Sequence, residues 1–152
     1  MALTIRKAEY YFTTIQDQPG EAYKLLSQFA EIGVNLFAFT AIPMEPERIQ
    51  FTLFPEDTNK LTDAAEKVGF TLDGPHPAIL VQGDDELGAL TDLHKKLYLA
   101  DVNVYASNGV TDGVGSFGYV LYIRPEEYDR ALSALNIWWF FLWDGNFKPT
   151  KL

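Results

Sequence analysis

Between Gln16 and Asn35 the apolar residues fall at Ala22, Leu25, Leu26, Phe29 and Ala30, at spacings i, i+3, i+4, i+7 and i+8. That is one face of an amphipathic helix. Pro19 suits its first helical position, where the missing N–H removes no hydrogen bond. Gly33 ends it, because a left-handed cap costs least at glycine. A strand rich in aromatic and β-branched residues precedes the helix (Glu9 to Ile15), and another follows (Val34 to Ile42). Pro43-Met44-Glu45-Pro46-Glu47 reads as a turn. Ile49 to Phe54 alternates apolar and polar positions, a half-buried strand that Pro55 ends. Asp57 or Thr58 can cap a second helix with Leu61, Ala64, Ala65 and Val68 on one face. Gly69 closes that helix, and Phe70 to Leu72 is read as a short strand. The predicted order is β-α-β-β-α-β.

The pattern then begins again. Asp73-Gly74-Pro75-His76-Pro77 reads as a connector, and Ala78 to Gln82 as a compact apolar strand. Adding 68 carries Asp17 to Asp85, Gly20 to Gly88, Leu25 to Leu93, Asn35 to Asn103 and Leu53 to Leu121. Toward the end the offset becomes 67, and Leu61, Ala64, Ala65 and Val68 land on Tyr128, Ala131, Leu132 and Leu135. Gly69 lands on Asn136, the other residue that tolerates a left-handed cap. The chain therefore reads as two copies of one unit, residues 1–73 and 74–152. The fold class expected is α+β, two ferredoxin-like βαββαβ repeats with antiparallel sheets and the helices on one face of each sheet. Strand order 4-1-3-2 would leave strand 2 at an edge, a liability unless it pairs.

Composition narrows the function. The 152 residues carry a net charge of −9, which argues against nucleic-acid and anionic-membrane partners. There is no cysteine and there are two histidines, His76 and His94, so thiol chemistry is excluded and a histidine metal site is not expected. Arg6 and Lys7 lead into Ala-Glu-Tyr-Tyr-Phe rather than the apolar run of a signal peptide. No stretch approaches the ~20 apolar residues of a membrane span. A cytoplasmic protein is expected.

The loop Asp17-Gln18-Pro19-Gly20 and the Gly33-Val34-Asn35 that leads into strand 2 resemble the markers of an ACT domain, and the resemblance extends twice over from about Glu9 to Ile137. It implies a non-catalytic regulatory fold that binds an amino acid or an analogue, with no cofactor and no metal. In that family the ligand usually sits between paired domains, near the β1–α1 loop and strand 2. Carried over, the ligand-binding candidates are Asp17, Gln18, Pro19, Gly20 and Asn35, with Asp85, Gly88 and Asn103 in the second copy. The physics agrees, since N–H groups at a helix start attract a carboxylate. Asp17 or the Asn35 carbonyl would take the ammonium. The second copy departs from the pattern. Its loop, Gly83-Asp84-Asp85-Glu86-Leu87-Gly88, lacks the proline, and its three carboxylates can cap the helix and repel an anion. That copy is either a structural partner for the first or a site for a cation.

Other signals reduce to structure. Gly113-Val-Gly115-Ser-Phe-Gly118-Tyr-Val120 matches a phosphate-loop pattern, but no strand-then-helix context surrounds it, so it is read as a β2–β3 hairpin. His94 falls on an apolar-face position and reads as a packed or rim residue, and His76 as a turn residue. Asp84, Asp85 and Glu86 lack the alternating spacing of a calcium loop. The run Trp138-Trp139-Phe140-Phe141-Leu142-Trp143 is placed by the repeat on the last strand, either buried on both faces or an oligomer interface. The leading expectation is an amino-acid-binding regulator that forms a homodimer and acts on a separate enzyme. The alternative is an interaction module with no ligand of its own.

Overall fold

The computed structural model describes residues 3–137. Among them run β1 (Leu3–Gln16), α1 (Glu21–Ile32), β2 (Leu36–Met44), β3 (Arg48–Pro55), α2 (Thr58–Val68), β4 (Asp73–Asp84), α3 (Thr91–Leu99), β5 (Val104–Thr111), β6 (Ser116–Ile123) and α4 (Pro125–Ala134). The architecture is α+β, and the pairings β1–β3, β2–β3, β4–β6 and β5–β6 are antiparallel. Two compact units divide the chain. One is Glu9–His76, and the other joins residues 3–8 to residues 77–137. Residues 3–8 thus fall with the later unit.

In the unit Glu9–His76 the strands lie in the order β4-β1-β3-β2. Tyr11 stands opposite Leu53, and Leu53 opposite Phe39. Alternation sends Tyr11, Phe51 and Leu53 to one face. There Leu25 and Phe29 of α1 and Leu61 and Ala64 of α2 complete the core. Each large apolar side chain so buried contributes roughly 1.5–3 kcal/mol. Leu26 and Ala30 lie at the exposed margin of α1, so its buried stripe is narrower than the apolar spacing. Gly33 and Gly69 take the left-handed cap conformation, and the side chain of Asp57 accepts the N–H groups of Asn59 and Lys60 at the start of α2.

Three boundaries and one burial pattern differ from the sequence reading. Pro43 and Met44 continue β2, and the turn occupies residues 45–47. From Phe51 to Pro55 β3 is buried on both faces rather than half-buried, Thr52 and Phe54 included, with the Phe54 ring 5.2 Å from that of Tyr10 on the face away from Phe51 and Leu53. Residues 70–72 are not a strand; Phe70 and Leu72 pack against the core from a loop. The supposed connector from Asp73 is the start of β4. Pro75 is tolerated because residues 73–76 are outermost in their unit, and within sheets proline is confined to such edge positions. Gly74 lies so close to β1 that a Cβ there would meet the Tyr10 carbonyl oxygen and the Tyr11 ring, each at 2.8 Å.

In the other unit the order is β1-β4-β6-β5. Ile79 faces Leu121, and Leu121 faces Ser107. Ile79, Val81, Leu121 and Ile123 form a core with Leu93 and Leu97 of α3 and Ala131 and Leu132 of α4. Leu3 and Ile5 pack against it, so the strand beside β4 comes from the start of the chain. The aromatic run Trp138–Trp143 lies outside the described residues. Among the described residues no helix is long and apolar enough to cross a membrane, and no cluster of histidine and acidic side chains is placed to hold a metal.

Candidate functional site

The loop between β1 and α1 is tied down by backbone bonds. The Asp17 N–H donates to the Glu47 carbonyl at 2.9 Å, and the Glu21 N–H to the Gln18 carbonyl at 3.3 Å. The second bond closes a four-residue turn around Pro19 and Gly20. Gly20 has φ 91 and ψ −7, the values a type II turn needs at its third residue. Pro19 supplies the fixed φ of the second. Pro19 is therefore a turn residue rather than the first helical residue, which is Glu21. The proline–glycine pair is the strongest local signal for this turn, and the helix begins after it.

Gly20 is also the N-cap of α1 and has no side chain to offer, so no side-chain hydrogen bond caps the helix. The first intrahelical bond runs from the Lys24 N–H to the Gly20 carbonyl at 3.0 Å. The amides of Ala22 and Tyr23 thus remain directed along the axis toward the loop. The Glu21 carboxylate is drawn along the helix by Lys24 Nζ at 2.7 Å. Asp17, Gln18, Pro19 and Gly20 are all exposed.

Asn35 is elsewhere. It follows the C-terminus of α1, which has 12 residues and therefore spans about 18 Å. Its carbonyl accepts the Glu56 N–H at 2.9 Å, and its Nδ2 donates to Glu56 Oε2 at 2.9 Å. The unit brings Asp17, Gln18, Pro19 and Gly20 together at one end and holds Asn35 at the other. Glu56 was not singled out in the sequence. It lies 21 residues from Asn35, and the β2–β3 pairing alone brings the two together.

The other unit has matching bonds. The Asp85 N–H donates to the Gly115 carbonyl at 2.9 Å, and the Ala89 N–H to the Glu86 carbonyl at 3.0 Å. Gly88, with φ 79, takes the place of Gly20, and Leu87 that of Pro19. The helix starts at Thr91, with Leu90 as N-cap and no side-chain cap bond. Asp84, Asp85 and Glu86 therefore do not cap α3, because the turn at 86–89 stands between them and the helix. Asn103 again lies at the far end. Its N–H donates to Glu127 Oε1 at 3.3 Å, and that oxygen also takes Arg130 Nη2 at 3.3 Å. Arg130 donates further to the Asp101 carbonyl at 2.7 Å, where Asp101 holds a left-handed φ of 55.

The glycines from Gly113 to Gly118 form the β5–β6 hairpin, not a strand-to-helix phosphate loop. Asp112 Oδ1 accepts the N–H groups of Val114 (2.8 Å) and Ser116 (2.9 Å). These backbone donors, Ser116 first, hold its carboxyl below the usual aspartate value. A shallow cleft of about 210 Å³ opens here, lined by Gln82, Val110, Thr111, Asp112, Ser116, Phe117 and Gly118. It includes none of the expected site residues. His94 pairs with the Tyr119 hydroxyl at 2.8 Å. His76 is a strand residue whose ring lies tilted against those of Tyr10 and Phe12, with centroids at 5.2 and 5.1 Å.

No family model matches the sequence, and no curated protein does. Solved structures match in fold. Protein BT0572 from Bacteroides thetaiotaomicron aligns with a TM-score of 0.71 at 16% identity, over 87% of this chain and 88% of that one. The ligand-free regulatory subunit of aspartate kinase from Thermus thermophilus aligns at 0.63 and 17% identity, over 90% and 95%. The regulatory subunit of aspartate kinase from Thermus flavus aligns at 0.58 and 16%, with the same coverage. At these identities the likeness is one of fold.

Proposed function

We propose that this protein is a non-catalytic regulator built from two ACT-like units, which binds a free amino acid at the β1–α1 loop of the unit Glu9–His76. The observation that carries the reading is the uncapped start of α1 behind the Pro19–Gly20 turn. An α-carboxylate would accept the Ala22 and Tyr23 N–H groups, with the helix dipole adding up to ~2 kcal/mol in a partly buried setting. The Asp17 carboxylate would take the ammonium, and Gln18 and Pro19 would flank the ligand. The fold shared with regulatory subunits of aspartate kinase supports a regulatory role, as do the bonds that recur 68 residues apart.

Asn35 reaches such a ligand from a second chain. β2 is an edge strand with β3 as its neighbour among the described residues. Two β2 strands paired antiparallel across a two-fold axis would set Leu36 of one chain opposite Met44 of the other. The Asn35–Glu56 end of one chain then meets the β1–α1 loop of its partner. A homodimer is thus part of the proposal, and the ligand would regulate a partner enzyme by favouring one arrangement of the pair. The later unit serves as a structural partner. Its loop carries three carboxylates, and Glu127 already occupies the Asn103 N–H. Asp85 and Gly88 then have no part in binding the amino acid.

The experiment is a thermal-shift screen of the twenty amino acids. A ligand at one hundred times its dissociation constant stabilises by about 2.7 kcal/mol. Asp17→Ala and Asn35→Ala should each remove the response. An equimolar mixture of the two variants, refolded together, should regain part of it, because mixed dimers contain one intact site. No response to any amino acid, together with self-association, would favour the interaction-module reading, which the exposed Phe37, Ile42 and Met44 of β2 support.

A further inference from the structure

The sheet of the later unit has two faces, and the helices of the unit cover one of them. Along β4 and β6 the residues of odd number, Ile79, Val81, Leu121 and Ile123, pack with α3 and α4. Alternation turns Ala78, Leu80, Val120 and Tyr122 to the other face. They form two cross-strand rows there, Ala78 beside Tyr122 and Leu80 beside Val120. That face is nevertheless dry at its centre. Leu80 and Val120 are each 6% exposed, Tyr122 is 7% and Ala78 is 0%. The next row, Gln82–Gly118–Val110, is open, with Val110 74% exposed and the shallow cleft lying over Gly118. Water is therefore kept off one patch of a face on which neither helix of the unit lies.

The chain beyond Ile137 has the composition to cover it. Trp138-Trp139-Phe140-Phe141-Leu142-Trp143 carries no charge and holds all three tryptophans of the sequence. So large an apolar stretch is a liability in water. It departs from this unit: the Ile137 N–H donates to the Leu132 carbonyl at 2.8 Å, and Ile137 packs against the core. The strand place that the repeat assigns to the run, beside β4, is held by residues 3–8, with Leu3 and Ile5 packed on the core. Six extended residues reach about 20 Å, against ~4.8 Å between neighbouring strands, which is enough to cross β4 and β6. The rim of the patch is basic. Arg124 lies over the Tyr105 ring at 5.9 Å, and Tyr105 meets Tyr122 edge-on at 6.2 Å. The residue that follows the run is an acid, Asp144.

We propose that Trp138–Trp143 docks on the helix-free face of the later unit, over Leu80, Val120 and Tyr122, as an intramolecular cover that stops short of the Gly118 row. Its rings fill the patch, and Asp144 comes to the Arg124 rim. Docking takes the most aromatic stretch of the chain out of water together with the apolar centre of the sheet. It also closes that face to other proteins. The inference is independent of the amino-acid reading.

The test uses the full chain, which has no cysteine and no tryptophan outside the run. A nitroxide is attached at Ala106→Cys, an exposed position beside Tyr122 on the helix-free face, or at Lys95→Cys on α3 as a control. The indole N–H resonances then report on the run alone. The label at position 106 should remove most of their intensity. The label at position 95, set off by the sheet and a helix about 10 Å thick, should remove little. Val120→Lys, which puts a charge under the cover, should shift tryptophan emission to the red and admit acrylamide, whereas Val110→Lys in the open row should change neither. The labelling result stands without Val120→Lys if that variant does not fold. Each of four outcomes overturns the proposal. These are indoles untouched by the label at 106, equal loss from 95 and 106, a folded Val120→Lys with unchanged emission, and indole loss as large when the labelled chain is mixed with an unlabelled, isotope-enriched one. The last would make the occupant the run of a second copy.

Discussion

Gly20 and Gly118 should respond to the same substitution with opposite sign. At neither position does a Cβ meet any atom within 4 Å, so packing is not the discriminator. Gly20 has φ 91 and Gly118 has an ordinary strand φ. Forcing alanine into the left-handed region costs about 1–2 kcal/mol. Replacing glycine also removes freedom from the unfolded chain, which stabilises by about 0.4–1 kcal/mol where the backbone is compatible. The difference at Gly20 is a net loss of about 1 kcal/mol, and Gly118→Ala should gain about 0.5 kcal/mol. For a chain of this size each kcal/mol moves the midpoint by about 2–4 °C. Scanning calorimetry and urea titration of both variants should therefore place Gly20→Ala below the parent and Gly118→Ala above it. Relaxation of the Pro19–Gly20 turn would also swing the α1 amides, so Gly20→Ala should lose the amino-acid response by more than its stability change explains. If the two variants move together, the assignment of a left-handed type II turn at the start of α1 is wrong.

Asp57→Ala removes the acceptor for the Asn59 and Lys60 amides and should destabilise the unit Glu9–His76 by about 1 kcal/mol, measurable in urea, with Asp57→Ser recovering most of it. Asp112 should give the later unit a distinct acid response. Its folded carboxyl titrates below the unfolded one, so its contribution is present above the ordinary aspartate range and is lost as pH falls through the lower, folded value. The acid limb of urea midpoint against pH should be shallower in Asp112→Ala than in the parent; parallel limbs would show that the hairpin amides do not hold the charge.

Much of the molecule is determined locally, and the sequence carried that part. The stripe at Leu25 and Phe29, the left-handed Gly33 and Gly69, and the alternation through Phe51 and Leu53 each depend on neighbours a few residues away. The correspondence between Asp17 and Asp85 was likewise legible, because the same loop bond to the hairpin recurs at both. Chain order could not say which strand stands beside which. Residues 3–8 join the later unit and Asp73–His76 the earlier one, since a strand end is assigned by the ladder it completes and not by its place in sequence. The same limit applies to the site. Asp17 and Asn35 lie at the two ends of one helix whose length was already implied by the apolar spacing, yet the resemblance groups them around one ligand. Tertiary structure decided that a rigid rod of about 18 Å separates them and gave Asn35 the Glu56 carboxylate as its neighbour within the chain.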